Sequence, residues 1–158
     1  MMPLVIGIDI GTSGARAVAM RPDFSITAQS AVRLDKFGQN PRDPSAWWQA
    51  VEAALTELLA GIDRTAVRAI AIDGTSGTLL PVDAAGRPLA EPLMYNDKVD
   101  DAGILADIGR QAPEASAAHG ATSGLAKALR FQHLPGITAV LHQADWIAGN
   151  LSGRFDVS

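Results

Sequence analysis

Asp9 is the first residue whose surroundings could do chemistry. It closes the apolar run Leu4-Val5-Ile6-Gly7-Ile8, and the turn Gly11-Thr12-Ser13-Gly14 and the cation Arg16 follow it closely. Glycines let backbone amides approach an anion, and the Thr12 and Ser13 hydroxyls can converge on the same anion. Asp9 would repel a phosphate unless a divalent cation lay between them. Mg²⁺ held through one or two carboxylates and several waters is the natural mediator. The same residues also suit an ordinary hairpin turn, in which Asp and Ser bond their own backbone. Two better-known phosphate motifs do not apply: no Lys precedes the Ser or Thr, and Gly7, Gly11 and Gly14 lack dinucleotide spacing.

A second segment repeats this logic. Ala69-Ile70-Ala71-Ile72 is apolar and ends in Asp73-Gly74-Thr75-Ser76-Gly77. Ligands of α/β sheets gather at the carboxyl ends of strands, so both turns can face one cleft. Further on, Asn96, Asp97, Asp100 and Asp101 are residue types that the first turn of a helix favours through capping and the helix dipole. His119, His133 and His142 have no metal-ligand spacing and read as structural or solvent-facing.

The elements that must position these residues follow from periodicity and breakers. Leu4–Ile8 is short and β-branched, which favours a buried strand. After Gly14, too few residues remain before Arg21-Pro22-Asp23 for a helix, so the chain turns back as a hairpin. Residues 25–34 read as a third strand, giving a three-strand meander. A helix is expected over residues 45–60, capped by Asp43, with Pro44 at its first position and Gly61 at its end. Its Trp47, Val51, Leu55, Leu58 and Leu59 stripe is core. Residues 67–73 and 78–82 read as strands. Helices are expected over 98–109, 113–119, 125–133 and 139–151. No linker or repeat divides the chain.

At 158 residues, one domain is expected, large enough to bury roughly 70% of its unfolded surface. The net charge of -4 argues against nucleic acid or anionic membrane as partner. Cysteine is absent, which removes disulfides and thiol chemistry and fits a cytoplasmic setting. No apolar stretch reaches membrane-spanning length, and no basic region precedes the first apolar run.

Asp9-Ile10-Gly11-Thr12-Ser13-Gly14-Ala15-Arg16-Ala17 resembles the first phosphate motif of the FGGY carbohydrate kinases, a branch of the actin-like, ribonuclease H-like ATPases. The resemblance implies an α/β, ribonuclease H-like domain whose mixed sheet opens with a three-strand antiparallel meander and is flanked by helices. It implies ATP and Mg²⁺, with Asp9 orienting the hydrated ion and Gly11, Thr12, Ser13 and Arg16 on the phosphates. Arg16 would otherwise simply lie on the strand surface. It also implies a sugar pocket formed by Asp73, Thr75 and Ser76 together with Tyr95, Asn96 and Asp97, leaving Asp100 and Asp101 as solvated dipole partners. Xylulokinases typically carry Met-His-Gly in the first of these loops. Asp73-Gly74-Thr75-Ser76-Gly77-Thr78 is closer to ribulokinase-like members, so a ketopentose is expected, D-ribulose ahead of D-xylulose. Gln143-Ala144-Asp145-Trp146 resembles a segment leading toward the cleft.

Members of that family are longer and have two lobes, the second carrying the adenosine motif, another phosphate motif and the general-base Asp. Residues 1–158 are thus expected to be an incomplete N-terminal lobe, ending in mid-domain at residues 153–158, whose partner is the second lobe of the same protein. No catalytic base is expected within it, and an exposed half-cleft could pair with a second copy. Two other classes stay open: a chaperone-type actin-like ATPase, and a non-catalytic sugar- or nucleotide-binding module.

Overall fold

β1 (Leu4–Ile10) shows why one strand can serve both a core and a site. In the computed structural model, which describes residues 2–155, its side chains alternate: Leu4, Ile6, Ile8 and Ile10 are buried while Val5 and Asp9 face outward. β2 (Gly14–Met20) and β3 (Ile26–Arg33) complete an antiparallel meander, and β4 (Val67–Gly74) lies parallel to β1 on its other side. The sheet order is β3-β2-β1-β4. This is the mixed sheet with an opening meander that the sequence led us to expect.

Helix α1 (Pro44–Ala60) lies on β2 and β3. Its start is fixed locally: Asp43 Oδ1 accepts the Ser45 N–H at 2.8 Å, with Pro44 in the first turn, where a missing donor costs nothing. Ala15, Ala17 and Ala19 on β2 are fully buried, and such small side chains let the helix backbone come close. Trp47, Val51, Leu55 and Leu58 fill the space between as the stripe predicts, joined by Ala46, Ala50 and Ala54, whereas Leu59 is only half-buried. Ser30 Oγ donates to the Ala54 carbonyl at 2.7 Å, tying β3 to the helix. Gly61 follows the helix with its N–H on the Leu58 carbonyl, but at φ −96° rather than in the left-handed region.

The chain divides into two units between Gly74 and Thr75. In the second, β5 (Leu79–Val82) pairs antiparallel with β6 (Ala139–His142), α3 (Gly124–Phe131) packs on β5, α4 (Gln143–Ser152) on β6, and α2 (Ala102–Gln111) on α3. Val99, Ile108 and Ala126 centre a small core beneath α2 and α3.

Three helix expectations need correction in this unit. The helix expected from residue 98 starts at Ala102, because Val99 is buried with its N–H on the Ala121 carbonyl, and Asp101 caps Gly103 and Ile104. Residues 113–119 form successive turns closed by Ser116 N–H to Pro113 and His119 N–H to Ser116, not a helix. The run expected as one helix from Ala139 begins as β6, since a short apolar stretch carries no unambiguous period and β5 offers it a ladder. Of residues 153–158, where a mid-domain end is expected, 156–158 lie outside the described residues. Among the described residues no helix is long and apolar enough to cross a membrane.

Candidate functional site

In the first unit, the register of β1 against its two neighbours decides which predicted residues meet. Asp9 is paired with Arg16 across the antiparallel β2 and with Asp73 across the parallel β4. In-register neighbours share a face, so two carboxylates and a guanidinium come to the outward face near the carboxyl ends of β1 and β4. Arg16 Nη1 lies 3.5 Å from Asp9 Oδ2, with the two side chains 70% and 53% exposed. A pair this solvated adds little to stability, so both partners remain available to a ligand. Asp73 Oδ1 accepts its neighbour's amide, that of Gly74, at 2.9 Å. Asp9, Arg16 and Asp73 line a shallow depression of about 530 Å³ whose remaining wall is largely apolar, including Val18, Met20 and Ile72.

The donor set bears on the metal. Two exposed carboxylates on adjacent strands leave most coordination positions to water, and among the described residues no three His, Cys, Asp or Glu side chains gather. Such a set fits hydrated Mg²⁺, which keeps several waters, rather than an ion that requires a full protein cage.

The hairpin turn is closed by the Gly11 N–H on the Gly14 carbonyl at 3.0 Å and buttressed by the Leu34 N–H on the Ser13 carbonyl at 3.1 Å. Gly14 is required by close approach: a Cβ there would stand 2.5 Å from the Val32 carbonyl oxygen on β3. At Gly11 a Cβ would meet only the Gly14 carbonyl, at 3.9 Å, so the space above it is open. Thr12 and Ser13 are exposed and line a separate depression of about 270 Å³ together with Arg33 and Asp35. Of the predicted phosphate residues, Arg16 therefore lines the first depression and Thr12 and Ser13 the second, while Gly11 lines neither. Arg33, held by a bidentate pairing with Asp35, is a cation beside the turn that sequence spacing did not single out. Its position follows from β3 returning alongside β2.

The second unit holds Thr75, Ser76, Tyr95, Asn96 and Asp97. Residues Thr75–Thr78 form a tight turn, with the Thr78 N–H on the Thr75 carbonyl at 3.1 Å and Gly77 at φ +73°, a conformation that a side chain would strain. A second turn closes from Asp97 N–H to the Met94 carbonyl at 3.0 Å, and Asp97 Oδ2 in return accepts the Met94 N–H at 2.7 Å. Asp97 therefore spends one carboxylate oxygen on its own turn, while Tyr95 and Asn96 are exposed. Asp100 is exposed and Asp101 is the cap of α2.

Two residues not singled out for the site hold these turns. Lys127 of α3 is fully buried and donates to the carbonyls of Gly77, Met94 and Tyr95, at 2.7, 2.7 and 3.2 Å. Burial pushes its ammonium below the ordinary lysine value, and the charge of Asp97 opposes that shift. Gln143, at the start of α4, accepts the Thr75 N–H with Oε1 at 3.0 Å and donates its own N–H to the Thr78 carbonyl at 3.1 Å. Among the described residues, buried Thr78 Oγ1 and Gln143 Nε2 have no hydrogen-bond partner. The sequence signal for Lys127 was a lysine on the apolar side of an amphipathic helix, and for Gln143 the resemblance of Gln143-Ala144-Asp145-Trp146 to a segment leading toward the cleft.

Comparison with known proteins adds to this geometry. The model of the N-terminal domain of the FGGY family of carbohydrate kinases matches residues 4–111. The chain is 30% identical over 98 residues to the xylulose kinase of Escherichia coli (strain K12), covering 60% of this chain and 20% of that protein. It is 30% identical over 101 residues to the apulose kinase of Pectobacterium atrosepticum, covering 61% and 20%. Among solved structures, a xylulose kinase from Bifidobacterium adolescentis superposes with TM-score 0.69 at 17% identity, over 99% of this chain and 35% of that one. The chain thus spans about one fifth of the length of the curated relatives it matches.

Proposed function

This chain belongs to the FGGY family of carbohydrate kinases, and on that premise we propose that its residues supply the first half of an ATP-dependent kinase site for a ketopentose. The observation that carries this reading is the pairing of Asp9 with Asp73 and Arg16 at one end of the sheet. In it, the Asp9 carboxylate, with Asp73 beside it, holds a hydrated Mg²⁺. The ion, when bound, supplies positive charge against the phosphate oxygens. Thr12 and Ser13 bond phosphate oxygens above the open Gly11, and Arg16 releases Asp9 to offset charge that develops on the transferred group. Phosphoryl transfer depends chiefly on positioning and charge neutralisation, so none of these side chains needs to form a covalent bond. The sugar's terminal hydroxyl attacks the γ-phosphorus and ADP leaves. By resemblance, the proton of that hydroxyl goes to an Asp carried in sequence outside these residues.

Thr75, Ser76, Tyr95, Asn96 and Asp97 are the proposed sugar contacts of the second unit, and Asp73, which the resemblance also assigns to the sugar, ends β4 in the first. Paired hydrogen bonds to a polyol also penalise an analogue lacking one hydroxyl, because buried polar groups are then left unpaired. The hydroxyl-rich loop Asp73-Gly74-Thr75-Ser76-Gly77-Thr78 favours D-ribulose. D-Xylulose is the second reading, favoured by the xylulose kinases among the relatives.

The test is a kcat/KM panel of D-ribulose, D-xylulose, L-ribulose, glycerol and a hexose with the whole protein. A ketopentose is expected to lead, and preference for glycerol or the hexose would overturn the pocket assignment. In the same coupled assay, the 158-residue polypeptide alone is expected to release no ADP in response to sugar. Steady sugar-dependent release, with contaminating kinase excluded, would refute that.

A further inference from the structure

Lys127 is placed where a lysine is costly. It lies in the first turns of α3, whose N-cap Ser123 accepts the Ala126 N–H, so its charge stands near the positive end of the helix dipole. It has no exposure to water. Burying an ammonium is unfavourable unless hydrogen bonds replace its hydration, and a leucine would serve packing better. What Lys127 obtains there is specific. Its ammonium takes carbonyls from two segments distant in sequence, Gly77 on one side and Met94 and Tyr95 on the other. These are the backbone turns that carry Thr75, Ser76, Tyr95, Asn96 and Asp97.

We infer that Lys127 is a positioning residue of the sugar pocket: its ammonium locks the Thr75–Thr78 turn and the Met94–Asp97 turn at one fixed separation, so that their outward side chains meet a polyol in register. The inference rests on the proposed sugar contacts and deepens them. Lys127 touches no substrate. It acts through backbone carbonyls, and Gln143 supports the far side of the first turn through the Thr75 N–H and the Thr78 carbonyl. Only a group with several convergent donors and no acceptor can bridge three carbonyls, and lysine supplies three. Methionine, with nearly the same length, supplies none.

The test compares Lys127→Met and Lys127→Ala with the wild type in the whole enzyme, reading KM for sugar and for ATP separately. A displacement of the sugar-contacting turns by a fraction of an ångström is expected to raise the sugar KM by about tenfold or more while the ATP KM stays within about twofold. In Lys127→Ala, added propylammonium, which refills the vacated space with an ammonium, is expected to lower the sugar KM toward the wild-type value. If Lys127→Met does not fold, Lys127→Arg, which keeps charge and donors but moves them, is read by the same split. Equal rises in both KM values, or a lowered Tm with unchanged sugar KM, would overturn the inference. A wild-type enzyme that no ketopentose saturates would instead overturn the pocket reading, and the inference with it.

Discussion

Asp9→Asn is expected to cost the whole enzyme about two to three orders of magnitude in kcat, the scale seen when one preorganised charge-stabilising group is removed. The substitution is nearly isosteric, and the side chain is 53% exposed, so the packing of β1 does not change. The ion pair it breaks with Arg16 is solvated and contributes little, and the melting temperature should stay where it was. What changes is the donor set. A neutral amide beside Asp73 is a poorer partner for a hydrated divalent cation, so the Mg²⁺ concentration for half-maximal rate should rise, while the sugar KM remains close to that of the wild type. Steady-state rates as a function of Mg²⁺ check this. A kcat within about threefold of wild type at saturating Mg²⁺ would remove Asp9 from the metal assignment.

Trp47→Ala has the largest expected effect on stability. Trp47 is a fully buried residue of α1, the helix that packs on β2 and β3. Its Nε1–H also donates to the Pro41 carbonyl at 2.8 Å, which anchors the loop leading into the helix. Truncating a large buried aromatic removes its transfer free energy and leaves a cavity, together costing about 3–5 kcal/mol. Trp47→Phe separates the contributions, since most of the ring remains while the hydrogen bond is lost, for about 1–2 kcal/mol. Urea unfolding followed by circular dichroism measures both. Equal losses for the two variants would mean that the hydrogen bond, not the packed ring, carries the effect.

Much of this was legible locally. The strand expected over Leu4–Ile8, which runs to Ile10, the hairpin turn, and α1 with its Asp43 cap and its Trp47, Val51, Leu55 and Leu58 stripe, Leu59 being only half-buried, follow from periodicity and breaker residues, because each depends on interactions within a few positions. The structure departs from local expectation where partners are distant. Ala139–His142 is extended because β5, far back in the chain, offers it a ladder. Val99 leaves the helix start because Ala121 takes its N–H. Nothing in the composition marks the division between Gly74 and Thr75, which falls where β4 passes into the Thr75–Thr78 turn rather than in a linker.

The sequence by itself determined the chemistry on offer: Asp9 at a strand end, a hydroxyl-bearing Gly11–Gly14 turn, a cation at Arg16 and two polar loops rich in sugar-compatible groups. These are properties of residue type and short spacing, which survive without any knowledge of the fold. Only the tertiary structure decided their company. The parallel register of β1 and β4 set Asp73 beside Asp9, the return of β3 brought Arg33 beside Ser13, and a buried lysine from α3 joined two turns. Each of these depends on backbone groups meeting across tens of residues, and a carbonyl that accepts such a bond is the same in every amino acid.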